Sequence, residues 1–340
     1  MKKLTAVFLL LIFLTGCAAV PDVPEMKQYN ATFLTLFDTV TTVVGRSESE
    51  EAFQPVAQAV HDKLEKYHQL FDVYHDYEGI SNLKTVNDNA GLSPVTVDPA
   101  IIELLLDCKD YYAATNGRVN VAMGAVLHLW HVARNEGIDD PVNAALPREE
   151  ALKEAAKHCN IQDVVIDEAA CTVYLRDAQM RLDVGAVAKG WAAQKVAEDS
   201  PKGLLISVGG NVCATDAKDA FGTPWVIGIE NPDGENFLHT LNITQNNVVT
   251  SGDYQRRYWV DGKAYHHIID PDTLYPSTYW RSVSVVAKDS GDADALSTAL
   301  FLLPMEEGQK LLETYSACAM WVDGQGQKFY SPGFELFIRS

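Results

Sequence analysis

The chain has 340 residues, of which 47% are hydrophobic, 21% charged and 9% aromatic, a globular balance that excludes a disordered, collagenous or coiled-coil chain. With 46 acids against 27 bases it carries a formal charge of −19, which opposes binding to nucleic acid or anionic headgroups through net charge. A polyanionic ligand such as a nucleotide must therefore be met locally, by backbone N–H groups, a metal ion or a few placed cations.

In chain order, residues 1–17 read MKKLTAVFLLLIFLTGC. Lys2 and Lys3 precede an apolar run, Leu4 to Leu14, of signal-peptide length and short of the roughly 20 residues that a bilayer span needs. The end, Leu14-Thr15-Gly16-Cys17, resembles a bacterial lipobox, which implies lipid on Cys17 and an extracytoplasmic, membrane-anchored protein; an ordinary signal peptide or an uncleaved anchor are the alternatives. The division that follows is a signal peptide at 1–16, a lipid-anchored tether at 17–30 and one continuous domain at 31–340. Within it, 33–44 reads as a strand or hairpin arm, and apolar spacing predicts a helix at 50–72. Further helices are expected at 98–115, opened by Asp98-Pro99, and at 148–159. Strands at 163–167 and 171–176 precede a helix at 185–199. Strand-like runs follow at 203–208, 225–230, 238–243, 247–250, 257–260 and 264–269. The chain closes with a strand at 281–287, helices at 292–303 and 305–314, and strands at 317–322 and 327–331. Helices and strands interleave without strict βαβ repetition, which predicts α+β rather than a doubly wound sheet.

Six cysteines, at 17, 108, 159, 171, 213 and 318, include no C-x-x-C pair and sit mostly in apolar strings, so those after Cys17 read as buried small hydrophobes. His61, His68 and His75 are spaced by two helical turns, roughly 10 Å, too far for one ion. His128 and His131 in LHLWH read as packing. The segment Arg181-Leu182-Asp183-Val184-Gly185-Ala186-Val187-Ala188-Lys189-Gly190-Trp191 ends a strand in a carboxylate and opens a helix whose N–H groups attract phosphate, with Lys189 as an added cation. Its spacing is not that of a Walker A loop. Val208-Gly209-Gly210-Asn211 is a second strand end where backbone can approach a ligand. His266-His267-Ile268-Ile269-Asp270-Pro271 offers a histidine as general base. Asp294, Ser297 and Thr298 share one helical face, and a carboxylate with hydroxyls suits a hard cation such as Mg²⁺, although first-turn capping is the simpler reading of that stretch alone.

Taken together, DVGAVAKGWA, SVGGN, TSGDYQRRYWVDGKAYHHIIDP and SVSVVAKDSGDADALSTALF, in that order, resemble the ApbE family of FAD:protein FMN transferases over residues 31–335. The resemblance implies a single ApbE-type, T-fold-like α+β catalytic domain with mixed or antiparallel sheets and flanking helices. FAD would be the substrate and Mg²⁺ the cofactor, with FMN passing to a Thr or Ser hydroxyl of an acceptor flavoprotein, either a subunit of a membrane redox complex or a secreted protein. By the same resemblance, Asp183 and Lys189 contact FAD. The Ala186 carbonyl, Asp294, Ser297 and Thr298 hold the metal, Ser297 being a weaker ligand than the Asp some members carry. His267 is the base, and the Ile269 backbone meets flavin. Phe37 in LFDT falls where many members carry Met-Gly-Thr, and Tyr74 where an aromatic stacks on the cofactor. Arg118-Val119-Asn120 matches a stretch that often ends in Asp, from which Asn120 departs. The alternatives are an FAD pyrophosphatase that releases FMN and AMP, a non-catalytic FAD-binding lipoprotein, and a generic solute-binding lipoprotein, against which the lack of two similar α/β lobes counts.

Overall fold

Alternating apolar positions and capped helices set the architecture of the computed structural model, which describes residues 25–234 and 236–339. The signal peptide at 1–16, Cys17 and the tether up to residue 24 lie outside the described residues. In chain order the elements are β1 (Lys27–Phe33), β2 (Thr41–Ser47), α1 (Glu50–Phe71), α2 (Leu83–Asp88), β3 (Val95–Thr96), α3 (Pro99–Ala114), α4 (Gly124–Asp139), α5 (Glu149–Ala156), β4 (Val164–Asp167), β5 (Thr172–Leu175), α6 (Ala188–Glu198), β6 (Leu204–Val208), β7 (Asn211–Ala214), β8 (Trp225–Glu230), β9 (Phe237–Ile243), β10 (Asn247–Gly252), β11 (Tyr258–Val260), β12 (Lys263–Tyr265), β13 (Ser282–Ala287), α7 (Ser290–Phe301), α8 (Met305–Leu312), β14 (Cys318–Val322) and β15 (Lys328–Tyr330). Four of the eight helix starts among the described residues, those of α1, α2, α3 and α7, follow side-chain capping chemistry. Ser49 accepts from the Ala52 N–H, Asp98 from Ala100 and Asp289 from Asp292, and Asn82 with Thr85 forms a capping box.

Eight strands form one sheet in the order β1-β2-β6-β7-β10-β13-β14-β15, and every named ladder is antiparallel. Among the described residues the one parallel pairing is the isolated bridge between Met123 and Arg181. One face of the sheet offers Val43, Ile206, Val208 and Cys213 to helices α1, α3 and α6, and Val249, Val283, Val285 and Trp321 to α7 and α8. The opposite face, with Val248, Val286, Met320 and Val322, is covered by the β8–β9 hairpin and Phe334. Strands β13 and β14 are buried on both faces; β14 reads in sequence as an unbroken apolar run, while β13 is apolar but for Ser282 and Ser284. A fourth cluster joins α4, α5 and the β11–β12 hairpin through Trp130, Leu152, Tyr258 and Ile269, and forms one wall of the site described below.

Several boundaries differ from the sequence reading. The boundary expected at residue 30 falls inside a strand, because Lys27–Phe33 pairs with β2 as an edge strand. Region 33–44 is two strands joined by a turn in which Phe37 and Asp38 both have positive φ, 53° and 52°. The helix expected at 185–199 starts at Ala188, and the strand expected at 264–269 ends at Tyr265. Helices α2 and α4 and strands β3 and β7 were not expected. All five described cysteines are free, with Cys108, Cys213 and Cys318 buried.

Candidate active site

The N-terminus of α6, strands β7 and β10, helices α4 and α7 and the loop after β12 enclose a cleft of about 520 Å³. At its base two helices approach unusually closely. A Cβ on Gly190 would come 2.3 Å from the Ser290 carbonyl oxygen and 2.5 Å from the Asp294 Cβ, so only glycine lets α6 lie against α7 here. The approach redirects one hydrogen bond. The Gly190 N–H donates to Asp294 Oδ2 at 2.8 Å rather than to the Ala186 carbonyl four residues back. Among the described residues no protein donor reaches that carbonyl, which lines the cleft.

Asp294 is 4% exposed. Burial holds its carboxyl above the ordinary carboxylate range, against the opposing pull of Lys189 and the Gly190 N–H. Lys189 Nζ lies 3.7 Å from Asp294 Oδ2 and donates to the Gly185 carbonyl at 3.2 Å. Asp183 is held at the same helix start, its N–H donating to the Val121 carbonyl at 2.8 Å and its Oδ1 accepting from Gly185 N–H at 2.9 Å. Thr298 lines the cleft one turn beyond Asp294. Asn211, 2% exposed, also faces it, with an Nδ2 that has no acceptor within 3.5 Å yet lies near enough to the Asp294 carboxylate to favour its charge. A buried carboxylate, a hydroxyl and an unclaimed carbonyl form an all-oxygen donor set of the kind Mg²⁺ takes, and an orphaned amide beside it suits a phosphate oxygen.

Ser297 is not part of this set. It is fully buried, its Oγ donates to the Asp294 carbonyl at 2.9 Å and pairs with Ser251 Oγ at 2.8 Å, and it does not line the cleft. A three-residue step on a helix is about 300°, so Ser297 turns towards the β10 side of α7 while Thr298 keeps the face of Asp294.

The loop after β12 presents two adjacent histidines with opposite fates. His266 accepts from the Ile268 N–H at Nδ1 (3.2 Å) and contacts the Ser277 carbonyl through Nε2 (2.8 Å), which fixes the neutral Nε2–H tautomer. With His266 so anchored, His267 projects into the cleft, open to its water and free of hydrogen bonds among the described residues. Enclosure by the walls, then the charges of Arg256, His266, Lys189 and Arg134, holds its imidazole below the ordinary value, so its neutral form prevails at neutral pH. Ile269, 5% exposed, follows on the cleft wall and bridges to Pro276.

The remaining expected residues fall in two groups. Arg118, Val119 and Tyr74 line the cleft. Arg118 is paired with Asp270 and Asp272 at 3.2 and 2.7 Å, and the ring of Tyr74 stacks on His131 at 4.6 Å. Asn120 lines it too, but its side chain is spent on the backbone, donating to Cys159 O at 2.9 Å and accepting from Ala122 N–H at 3.0 Å. The Phe37 ring packs edge-on against His68, whose Nδ1 accepts the Phe37 N–H at 3.2 Å, and Asp38 and Thr39 line the cleft in its place. The spaced histidines thus have separate contacts, His61 on Phe33, His68 on Phe37 and His75 on Asp72. Residues missed from sequence are His131, Arg134 and Arg256, all on the cleft wall. The i, i+3 spacing of His131 and Arg134 was a usable signal once α4 was recognised as a helix.

The ApbE family model matches residues 37–321. An FAD:protein FMN transferase of Treponema pallidum is 37% identical over 254 residues, 69% of this chain and 68% of that protein. One from Klebsiella pneumoniae is 32% identical over 262 residues, 75% and 78% of the two chains. In fold, the ApbE protein of Thermotoga maritima superposes with a TM-score of 0.81 at 28% identity, covering 92% of this chain and all of that one. Flavin transferase ApbE from Vibrio cholerae gives 0.76 at 22% identity, with the same coverage.

Proposed function

The chain belongs to the ApbE family and, as an FAD:protein FMN transferase, moves FMN from FAD to a target protein; we propose that the cleft does so with Asp294, Thr298 and the Ala186 carbonyl holding Mg²⁺ and with His267 as base. The observation that carries this reading is the diverted Gly190 N–H, which leaves the Ala186 carbonyl unclaimed beside a buried carboxylate. When bound, Mg²⁺ supplies positive charge to the pyrophosphate, which phosphoryl-type transfer needs more than covalent help from the protein. Lys189 adds a second charge from the same helix start, and the Asn211 amide a hydrogen bond. Neutral His267 takes the proton of an acceptor Thr or Ser hydroxyl. The hydroxyl oxygen forms the new bond to the phosphorus next to riboflavin. The bond from that phosphorus to the bridging oxygen breaks, and its electron pair leaves with AMP.

The lipobox-like start supports attachment through Cys17 to the outer face of the cytoplasmic membrane, with acceptors among membrane redox subunits or secreted flavoproteins. The test is to incubate the protein with FAD and Mg²⁺, with and without an acceptor flavoprotein, and to follow products by mass spectrometry. An FMN adduct on an acceptor hydroxyl with equimolar AMP is expected. Free FMN and AMP at the same rate whether or not acceptor is present would instead identify an FAD pyrophosphatase.

A further inference from the structure

Behind the cleft, at and just beyond the end of α1, three polar side chains form a connected chain that the transfer chemistry does not use. The carboxylate of Asp72, its side chain 6% exposed, is the hub. One oxygen accepts the N–H groups of Tyr74 at 2.6 Å and His75 at 3.2 Å. The other accepts the Tyr77 hydroxyl at 2.8 Å and meets His75 Nδ1 at 2.9 Å. Burial opposes the Asp72 charge, yet these bonds together hold its carboxyl below the ordinary value. Enclosure and then the bond to Asp72 push the Tyr77 hydroxyl up, so it stays protonated and donates. Its oxygen is left to accept from His68 Nε2, 3.3 Å away. The neutral ring of His68 therefore carries its proton on Nε2, which leaves Nδ1 to accept the Phe37 N–H at 3.2 Å.

This chain of bonds ends on strained backbone. Phe37 and Asp38 have φ of 53° and 52°, in the left-handed region that aspartate tolerates and an aromatic residue seldom adopts. Phe37 is held from both sides, its N–H by His68 and its carbonyl by Arg256 Nη2 at 3.3 Å. Leu36, 1% exposed, anchors the turn from inside. On its far side Thr39 packs against Gly209, where a Cβ would come 2.6 Å from Thr39 Oγ1. The Phe37 ring is thereby turned onto His68, and Asp38 and Thr39 line the cleft. Without the His68 acceptor, the Phe37 N–H loses its partner and nothing on α1 opposes relaxation of the turn towards extended backbone. We infer that Asp72, Tyr77 and His68 are positioning residues, which hold the 36–39 turn as a wall of the cleft and so set its affinity for FAD without touching the ligand. The inference rests on the reading of the cleft as an FAD site and adds a layer of residues behind its wall.

The test is a titration of the full-length protein with FAD in the presence of Mg²⁺, read by flavin fluorescence, together with kcat and KM for FAD in FMN transfer. Wild type is compared with His68→Ala, His68→Asn and Tyr77→Phe, with thermal unfolding midpoints as the folding control. The Asn side-chain oxygen reaches the Nδ1 position, so this variant keeps the acceptor for Phe37 and loses only the link to Tyr77. The expected result is an FAD dissociation constant and KM raised roughly fivefold or more in His68→Ala, raised less in Tyr77→Phe and largely restored in His68→Asn. Throughout the series kcat and the Mg²⁺ midpoint stay at wild-type values. A lower unfolding midpoint with unchanged FAD affinity would make the three side chains structural only and overturn the inference. An Asn variant as weak as the Ala variant, or a loss confined to kcat, would overturn it too. Wild-type transfer with FAD affinity indifferent to these residues removes this inference alone. FAD held in a His68-dependent manner without FMN transfer removes the transferase reading and leaves the positioning role.

Discussion

Replacing Gly190 with Ala sets two effects of opposite sign against each other. In a helix interior the change is ordinarily stabilising by about 1 kcal/mol, and the backbone of Gly190 does not need glycine's conformational range, since its φ is not positive. The added Cβ, however, would meet the Ser290 carbonyl oxygen at 2.3 Å, the Asp294 Cβ at 2.5 Å and the Ser290 carbonyl carbon at 3.1 Å. These are α7 atoms close to the helix backbone rather than ends of flexible side chains. Ser290 is further held by its N–H to Gln194 at 2.9 Å. Relief therefore requires the helices to separate by about 1 Å, an overpacking penalty of about 1–3 kcal/mol. Separation also breaks the Gly190–Asp294 hydrogen bond, worth about 1.5–3 kcal/mol to a charged acceptor. The clash outweighs the propensity. A net loss of about 2–4 kcal/mol corresponds to a Tm lower by roughly 4–8 °C at roughly 2 °C per kcal/mol. Scanning calorimetry reads the midpoint, and a Mg²⁺ titration of FMN transfer reads the site, where the half-saturating concentration should rise. A variant as stable as wild type, with an unchanged Mg²⁺ midpoint, would refute the reasoning.

Three further changes separate roles that the sequence alone left together. Ser297→Ala should cost about 1 kcal/mol through its lost hydrogen bonds yet leave the Mg²⁺ midpoint of transfer unmoved; a several-fold rise in that midpoint would restore Ser297 as a ligand. Asn120→Asp, the residue that the family resemblance leads one to expect there, removes the donor to Cys159 O and sets two acceptors face to face, for a loss of about 1–3 kcal/mol; calorimetry showing an equal or higher Tm would contradict this. His266 is held neutral in the fold, its affinity for a proton lowered by burial. The unfolded chain takes up that proton below about pH 6.5 while the native state resists it, so stability is full above that pH and falls as pH drops towards the lower native value. His266→Gln should flatten the decline of Tm between pH 7 and 5, and an unchanged slope would rule the titration out.

Much of the site was legible because it sits where strands end and helices begin. Asp183, Lys189, His267 and Asp294 occupy such positions, and each stands in the cleft. Amphipathic α1 and α3, with their Ser49 and Asp98 caps, were found for the same local reasons. Helix α4 was not, since it opens on glycine without a side-chain cap; His131 therefore read as packing and Arg134 was missed. The edge strand β1 mixes exposed polar residues with only partly buried apolar ones, which matches a tether in composition. Strand β12 was read too long because the apolar run continues through Ile268 and Ile269, whereas the His266 bonds to Ser277 and Ile268 bend the chain. Ser297 was legible only to a coarser level. Its spacing placed it near Asp294, but only the packing of α7 on β10 decides that its hydroxyl meets Ser251.

The central claim is that Asp294 and His267 act together in one cleft, as metal carboxylate and as base. It is tested most directly by quantifying the FMN adduct on an acceptor by mass spectrometry across a Mg²⁺ series, for wild type, Asp294→Asn and His267→Asn. The account predicts that Asp294→Asn abolishes Mg²⁺-dependent transfer. It predicts for His267→Asn a rate roughly 10²–10⁴-fold lower with the Mg²⁺ midpoint retained. Full transfer by either variant at wild-type Mg²⁺ would contradict it.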